Sequence, residues 1–274
     1  LSLADLPPLR EALAAHGLIA NKAFGQHFLL DLNITRKIAR LAEVGEGDLV
    51  IEVGPGPGGL TRALLETGAA VTAIEKDARF APLLADLVTA GGNLTVVLGD
   101  ALKVDEAAIA DGRPAHLVSN LPYNVGTALL IKWLTGPWTP ASLTLMFQKE
   151  VAERIIATPD DDAYGRLAVL ASALTEARLV MDVPARAFTP PPKVDSAVVR
   201  LMPLKDRPDP VRLDALQKVT AAAFNQRRKM LRSSLKPIGG EALVLAAGLD
   251  PQARAETVPV EGFFALADAF LARR

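Results

Sequence analysis

Across its 274 residues the chain is 50% hydrophobic and 22% charged, with a net charge of −1, no Cys and three His. That is enough to bury one large core and a smaller one, but no apolar run reaches the roughly 18 residues of a membrane span, so a soluble protein is expected. Without Cys there is neither a disulfide framework nor a thiolate metal site, and a reducing cytoplasm is the expected compartment; His16, His27 and His116 are too scattered for zinc, so no metal is expected.

The chain opens Leu1-Ser2-Leu3-Ala4-Asp5, with acids and early prolines where a secretory or transit leader would be basic, so no leader is expected. The first two dozen residues predict a helix packed on the outside, and Gln26 to Leu29 a segment covering a ligand. Next comes Leu49-Val50-Ile51-Glu52-Val53-Gly54-Pro55-Gly56-Pro57-Gly58-Gly59-Leu60, which reads as a buried strand, a glycine turn and a helix start. Gly54, Gly56 and Gly59 satisfy the spacing of the dinucleotide fingerprint, and Glu75 closes a second apolar run, Val71 to Ile74, about 20 residues on. In that fingerprint backbone N–H groups hold a pyrophosphate, whereas Pro55 and Pro57 each remove such a donor. The loop therefore suits a ligand that needs close backbone approach but carries no phosphate, such as S-adenosyl-L-methionine. Glu75 would take its ribose hydroxyls.

A third apolar run, Leu94 to Leu98, ends in Gly99-Asp100, and a fourth, His116 to Ser119, ends in Asn120. Ligands of open α/β sheets bind outside the carboxyl ends of the strands, so Gly54, Glu75, Asp100 and Asn120 are expected around one crevice. Asp100 would accept from the ligand's adenine amine. Leu143 to Phe147 predicts a fifth strand, and Leu179 to Val183 with Ala197 to Met202 a closing pair; helices are expected at 58–66, 78–90, 125–135 and 149–157. Pro203 to Pro210 reads as a linker, beyond which the pattern is helical to Leu271, with breaks at Pro237 to Gly240 and Leu249 to Pro251.

Asn120-Leu121-Pro122-Tyr123 carries the most chemistry. An exocyclic amine on a flat ring is a poor nucleophile because its lone pair is delocalised. Two acceptors, an Asn side-chain oxygen and the next backbone carbonyl, can draw that nitrogen towards tetrahedral geometry; the Pro stiffens the turn and the Tyr can stack on the ring. The bland alternative is an ordinary strand-ending turn.

With Phe24-Gly25-Gln26-His27-Phe28-Leu29 and Phe188-Thr189-Pro190-Pro191-Pro192-Lys193-Val194-Asp195-Ser196 in the same order and spacing, the chain from about residue 20 onward resembles the rRNA adenine N6,N6-dimethyltransferases. It is most similar to the bacterial branch that dimethylates two adjacent adenosines near the 3′ end of small-subunit rRNA. The resemblance implies a Rossmann-like class I methyltransferase α/β sheet over residues 1–203, with a smaller all-α domain over 204–274 that binds RNA or the ribosome. It implies cofactor contacts at His27, Leu29, Gly54, Glu75, Asp100 and Asn120, with Gln26, Gly56, Lys76 and Ala101 beside them. Asn120, Leu121, Pro122 and Tyr123 would hold the target adenine, with Phe188 stacking on its other face. Many relatives carry Asn where this chain has His27. A histidine there would donate to the methionine end and is expected to make cofactor affinity depend on pH near neutrality.

Charge is divided unevenly: from Arg200 onward there are 13 Lys and Arg against 8 Asp and Glu, and before it 17 against 23. The densest basic stretch, Phe224 to Lys236, predicts a helix with Met230, Leu231 and Leu235 inward and Arg227, Arg228, Lys229, Arg232 and Lys236 on an RNA-facing side. The expected partner is small-subunit rRNA in the 30S subunit or its precursor, met by a monomer. Alternatives left open are a large-subunit rRNA methyltransferase of the antibiotic-resistance type, a DNA adenine methyltransferase, and an assembly factor acting mainly by binding. An NAD oxidoreductase is disfavoured by the two loop prolines.

Overall fold

In the computed structural model, which describes residues 2–18, 27–226 and 228–273, the apolar runs fold as strands. They are β1 (Phe28–Leu29), β2 (Leu49–Val53), β3 (Ala70–Glu75), β4 (Leu94–Leu98), β5 (Ala115–Asn120), β6 (Ser142–Gln148), β7 (Thr175–Val183), β8 (Phe188–Thr189) and β9 (Ser196–Pro203). The helices are α1 (Leu9–Ala15), α2 (Leu32–Ala42), α3 (Gly59–Leu65), α4 (Ala81–Thr89), α5 (Glu106–Ala110), α6 (Gly126–Thr135), α7 (Lys149–Ile156), α8 (Arg166–Leu174), α9 (Pro210–Phe224), α10 (Leu231–Ser234), α11 (Gly240–Ala246) and α12 (Val260–Ala272). The helices expected at 58–66, 125–135 and 149–157 fall on α3, α6 and α7. The one expected at 78–90 opens as a 3-10 turn, Ala78–Phe80, before α4.

All five residues of β2 are buried, the mark of a parallel strand covered on both faces. It pairs in parallel with β3 on one side and β5 on the other; β4 extends the sheet beyond β3 and β6 beyond β5, also in parallel. β9 runs antiparallel to β6, giving the order β4-β3-β2-β5-β6-β9-β7. Neighbours on either side of β2 are thus its successor and the strand two further on, the reversal at which α/β sheets open a crevice. Register aligns the ends: Val53 lies opposite Ile74, and Glu75 opposite Leu98.

Helix α2 shows how sequence builds a covering layer. Thr35, Ile38, Ala39 and Ala42 bury at helical spacing, Asp31 caps the start by accepting from Asn33 N at 2.8 Å, and Glu43 ends it in a left-handed conformation. β1 and β8 form a separate antiparallel ladder, Phe28 opposite Thr189 and Leu29 opposite Phe188.

Two compact units emerge: Leu1–Trp133 with Trp138–Ala152 and Arg178–Met202, and Leu134–Pro137 with Glu153–Ala177 and Pro203–Arg274. The first holds most of the sheet. The boundary expected after residue 203 lies one residue from the observed one, but the second unit also takes in 134–137 and 153–177. Its core shows why: Tyr164 donates to Val258 O at 2.9 Å and packs edge-on against Phe224, which stacks on Phe263. The expected linker is partly fixed within that unit, as Leu204 N donates to Leu174 O and Arg207 to Leu134 O.

The continuous basic helix expected over Phe224 to Lys236 does not form. α9 stops at Phe224, and α10 begins only at Leu231, because Leu231 N and Arg232 N donate to Ala253 O and Pro251 O instead of to a preceding helical turn. Leu231 and Leu235 are buried as expected, but Met230 is exposed, bridged to Arg254. Arg228, Lys229, Arg232 and Lys236 are exposed; Arg227 lies outside the described residues.

Candidate active site

A cavity opens at the carboxyl ends of β2, β3, β4 and β5, wholly within the first unit. Of the expected cofactor residues, His27, Leu29, Gly54, Gly56, Glu75, Lys76, Asp100, Ala101 and Asn120 all line it; Gln26 lies outside the described residues. Leu121, Pro122 and Tyr123 line it too.

The glycine loop is built as its sequence requires. Gly54 sits at φ 69°, and a Cβ there would lie 3.2 Å from Pro122 Cγ. Only a residue without a side chain lets the loop and the Asn120–Tyr123 turn approach so closely. Its donors are already spent: Gly54 N donates to Ile74 O, Gly58 N to Pro55 O, and Gly56 N to Glu75 Oε2 at 2.9 Å. With Pro55 and Pro57 lacking N–H, residues 54–58 have no donor left to cradle a phosphate.

Glu75 is held by two backbone donors, Gly56 N on one oxygen and Asp77 N at 2.8 Å on the other. Each oxygen keeps a further lone pair for a hydroxyl. Burial pushes its carboxyl upward, opposed by those N–H bonds. Asp100 behaves oppositely: the side-chain bond from Lys76 at 3.0 Å, followed by the Leu102 N–H, holds it below the usual carboxylate range. It is an anionic acceptor, matched to an amine.

In the turn, Pro122 O accepts from Val125 N and Gly126 N, tying it to the start of α6. Among the described residues neither the Leu121 carbonyl nor the Asn120 amide has a hydrogen-bond partner, so both remain free to accept. Tyr123 shares a 2.7 Å hydrogen bond with Ser196 Oγ, and burial pushes its phenol upward. The His27 ring lies over it, centroids 5.5 Å apart at 30°. His27 Nδ1 is 2.9 Å from Pro190 O. A carbonyl only accepts, so Nδ1 donates in this bond and Nε2 is the nitrogen left to meet a ligand.

Phe188 departs from expectation. It is buried in the core with Phe28 and Leu29 and is not among the cavity-lining residues. Pairing of β8 with β1 turns it inward, so it forms no second wall for a base in this structure.

Glu52 was not singled out by its sequence context, yet it lines the cavity fully buried, accepting from Thr61 Oγ1 at 2.6 Å. Burial pushes its carboxyl up to about 8. An acid inside an otherwise apolar strand was the available signal.

A mostly parallel sheet with this strand order, a glycine loop without phosphate donors and an Asn-Leu-Pro-Tyr turn at the switch point define a class I S-adenosylmethionine-dependent methyltransferase. The chain belongs to the ribosomal RNA adenine dimethylase family, whose profile matches residues 17–271. It is 78% identical over its whole length to "Ribosomal RNA small subunit methyltransferase A" of Phenylobacterium zucineum, covering 96% of that protein. The same-named protein of Caulobacter vibrioides is 70% identical over 92% of this chain and 98% of its own. Among solved structures, a dimethyladenosine transferase from Plasmodium falciparum superposes with a TM-score of 0.71 at 26% identity, over 88% of this chain and 96% of its own. The 23S rRNA methyltransferase ErmE gives 0.67 at 28%, over 89% and 99%.

Proposed function

We propose that this protein transfers methyl groups from S-adenosyl-L-methionine to N6 of two adjacent adenosines near the 3′ end of small-subunit rRNA, during assembly of the 30S subunit, as a cytoplasmic monomer. The observation that carries it is the free pair of acceptors, the Asn120 amide oxygen and the Leu121 carbonyl, beside Tyr123 at the rim of a phosphate-free cofactor cavity. Relatives 57–78% identical over nearly the whole chain, all named as small-subunit enzymes, support that substrate over the large-subunit one. Among the described residues no helix is long and apolar enough to cross a membrane.

The cofactor supplies an electrophilic methyl on a sulfonium. Glu75 would take its ribose, Asp100 its adenine amine, and His27 Nε2, with Leu29, its methionine end. Gly54, Gly56, Lys76 and Ala101 would form the remaining walls. A target adenine leaves its stack and lies on Tyr123, held in place by Ser196. Asn120 and the Leu121 carbonyl accept from its amine and draw the lone pair out of the ring. Catalysis is positioning and desolvation; the methylated amine loses its proton to water, so no general base is required. Phe188 would serve as the second wall only if the β1–β8 ladder shifts.

The test is transfer of labelled methyl to small subunits isolated from cells lacking the modification, with naked small- and large-subunit RNA in parallel, followed by nucleoside analysis. Dimethyladenosine on small subunits is the expected product. Label confined to large-subunit RNA would overturn the assignment, and no label anywhere would leave an assembly factor.

A further inference from the structure

The geometry points to Lys132, on α6, as a positioning residue for the cofactor's adenine. The inference rests on the reading above that Asp100 accepts from the adenine amine.

Residues 100–104 fold back on Asp100: Leu102 N donates to its Oδ1 at 3.1 Å, while Lys103 N and Val104 N donate to its backbone carbonyl at 2.8 and 3.2 Å. Two carbonyls of this turn, Ala101 O and Val104 O, receive the Lys132 ammonium at 2.8 and 2.6 Å. The third N–H of that ammonium goes to Glu106 Oε1 at 2.9 Å. An ammonium has three donors and no acceptor, so two of Lys132's donors hold this turn and the third ties it to Glu106 at the start of α5. Glu106 is itself fixed: it is 4% exposed and accepts from Trp133 Nε1 at 2.8 Å.

Half-buried, charge-assisted bonds of this kind are stronger than neutral ones, and they act where the cavity needs precision. Ala101 and Leu102 line the cavity beside Asp100. The same helix begins at Gly126, whose N–H is bonded to Pro122 O of the Asn120–Tyr123 turn. One rod therefore braces the target-base turn at its first residue and the cofactor-adenine turn about 9 Å further along.

The experiment measures binding of S-adenosylhomocysteine and of S-inosylhomocysteine, whose ring carries a carbonyl in place of the amine, to the full chain by calorimetry. Wild type, Lys132→Met and the double variant Lys132→Met/Glu106→Gln are compared. The double variant avoids leaving a buried carboxylate unpaired, which could unfold the single one. The expected result is that the folded variant binds the adenosyl ligand about 10- to 100-fold more weakly while the inosyl ligand is held as before, so wild-type preference collapses. Preference retained in a folded double variant would overturn the inference, as would equal weakening of both ligands, the signature of a merely structural role. If wild type itself shows no preference, the Asp100 reading falls and takes the inference with it.

Discussion

Asn120 and Glu52 sit at the ends of two neighbouring strands and illustrate opposite uses of a polar side chain. The Asn120 amide has no partner among the described residues, so replacing it removes a contact with substrate and none within the fold. Asn120→Ala is expected to lower the methyl-transfer rate on the order of 100-fold with an unchanged melting temperature; a rate above about a tenth of wild type would remove Asn120 from the mechanism. Glu52 is paired inward with Thr61, and burial lifts its carboxyl to about 8 from an ordinary value of 4.5. Below pH 4.5 the acid is protonated in both states and contributes nothing. Between about 4.5 and 8 the unfolded chain holds fewer protons than the folded one, so stability falls as pH rises, and the full cost is reached above 8. Glu52→Gln, whose amide oxygen can still accept from Thr61, is expected to gain on wild type as pH rises from 5 to 8.5, by on the order of 3 kcal/mol. A difference in melting temperature that stays flat with pH would show that Glu52 does not titrate in that window.

At the scale of elements, what was legible is what local pattern encodes. The runs at 49–53 and 143–147 read correctly as strands because strands buried on both faces are nearly continuous in apolar residues, Glu52 being the exception in the first. The loop's ligand was legible from Pro55 and Pro57 because a missing N–H is a property of the residue. Features made by distant partners were not. Helix α9 looks continuous with the basic stretch after it, and only amides captured by Pro251 and Ala253 break it. Lys132, the one charged residue of α6, was not picked out in the sequence, because its role exists only once the turn at Ala101 to Val104 is folded against it. Phe188 reads as a free aromatic until β8 pairs with β1. That ladder also meets the start of α3 closely: a Cβ on Gly59 would lie 2.7 Å from Leu29 O, backbone against backbone. Gly59→Ala must therefore push β1 away from the glycine loop. The expected cost is about 1–3 kcal/mol together with weaker cofactor binding, read by thermal melting and ligand titration; a melting temperature and cofactor affinity equal to wild type would mean that β1 is not seated against the helix as described.

For the whole molecule, a net charge of −1 conceals a division of labour. Negative charge dominates before Arg200, where the cofactor cavity needs carboxylates such as Glu75 and Asp100, and positive charge dominates after it. Losing the expected basic helix does not remove the surface argument, because Arg228, Lys229, Arg232 and Lys236 are exposed and have no ion-pair partner among the described residues. Cations without internal partners contribute little to the fold, which leaves phosphate as the group they are suited to meet. Each phosphate contact releases a counterion and adds roughly 0.7 to 0.9 to the slope of log affinity against log salt. Replacing all four by Gln is therefore expected to weaken rRNA binding at low salt and to flatten that slope by about 3, while cofactor affinity, set within the other unit, stays the same. If the slope is unchanged, rRNA is held by other cations of the chain and the C-terminal excess of charge serves only solubility; if cofactor affinity falls as well, the two units are coupled and the four cations act on more than phosphate.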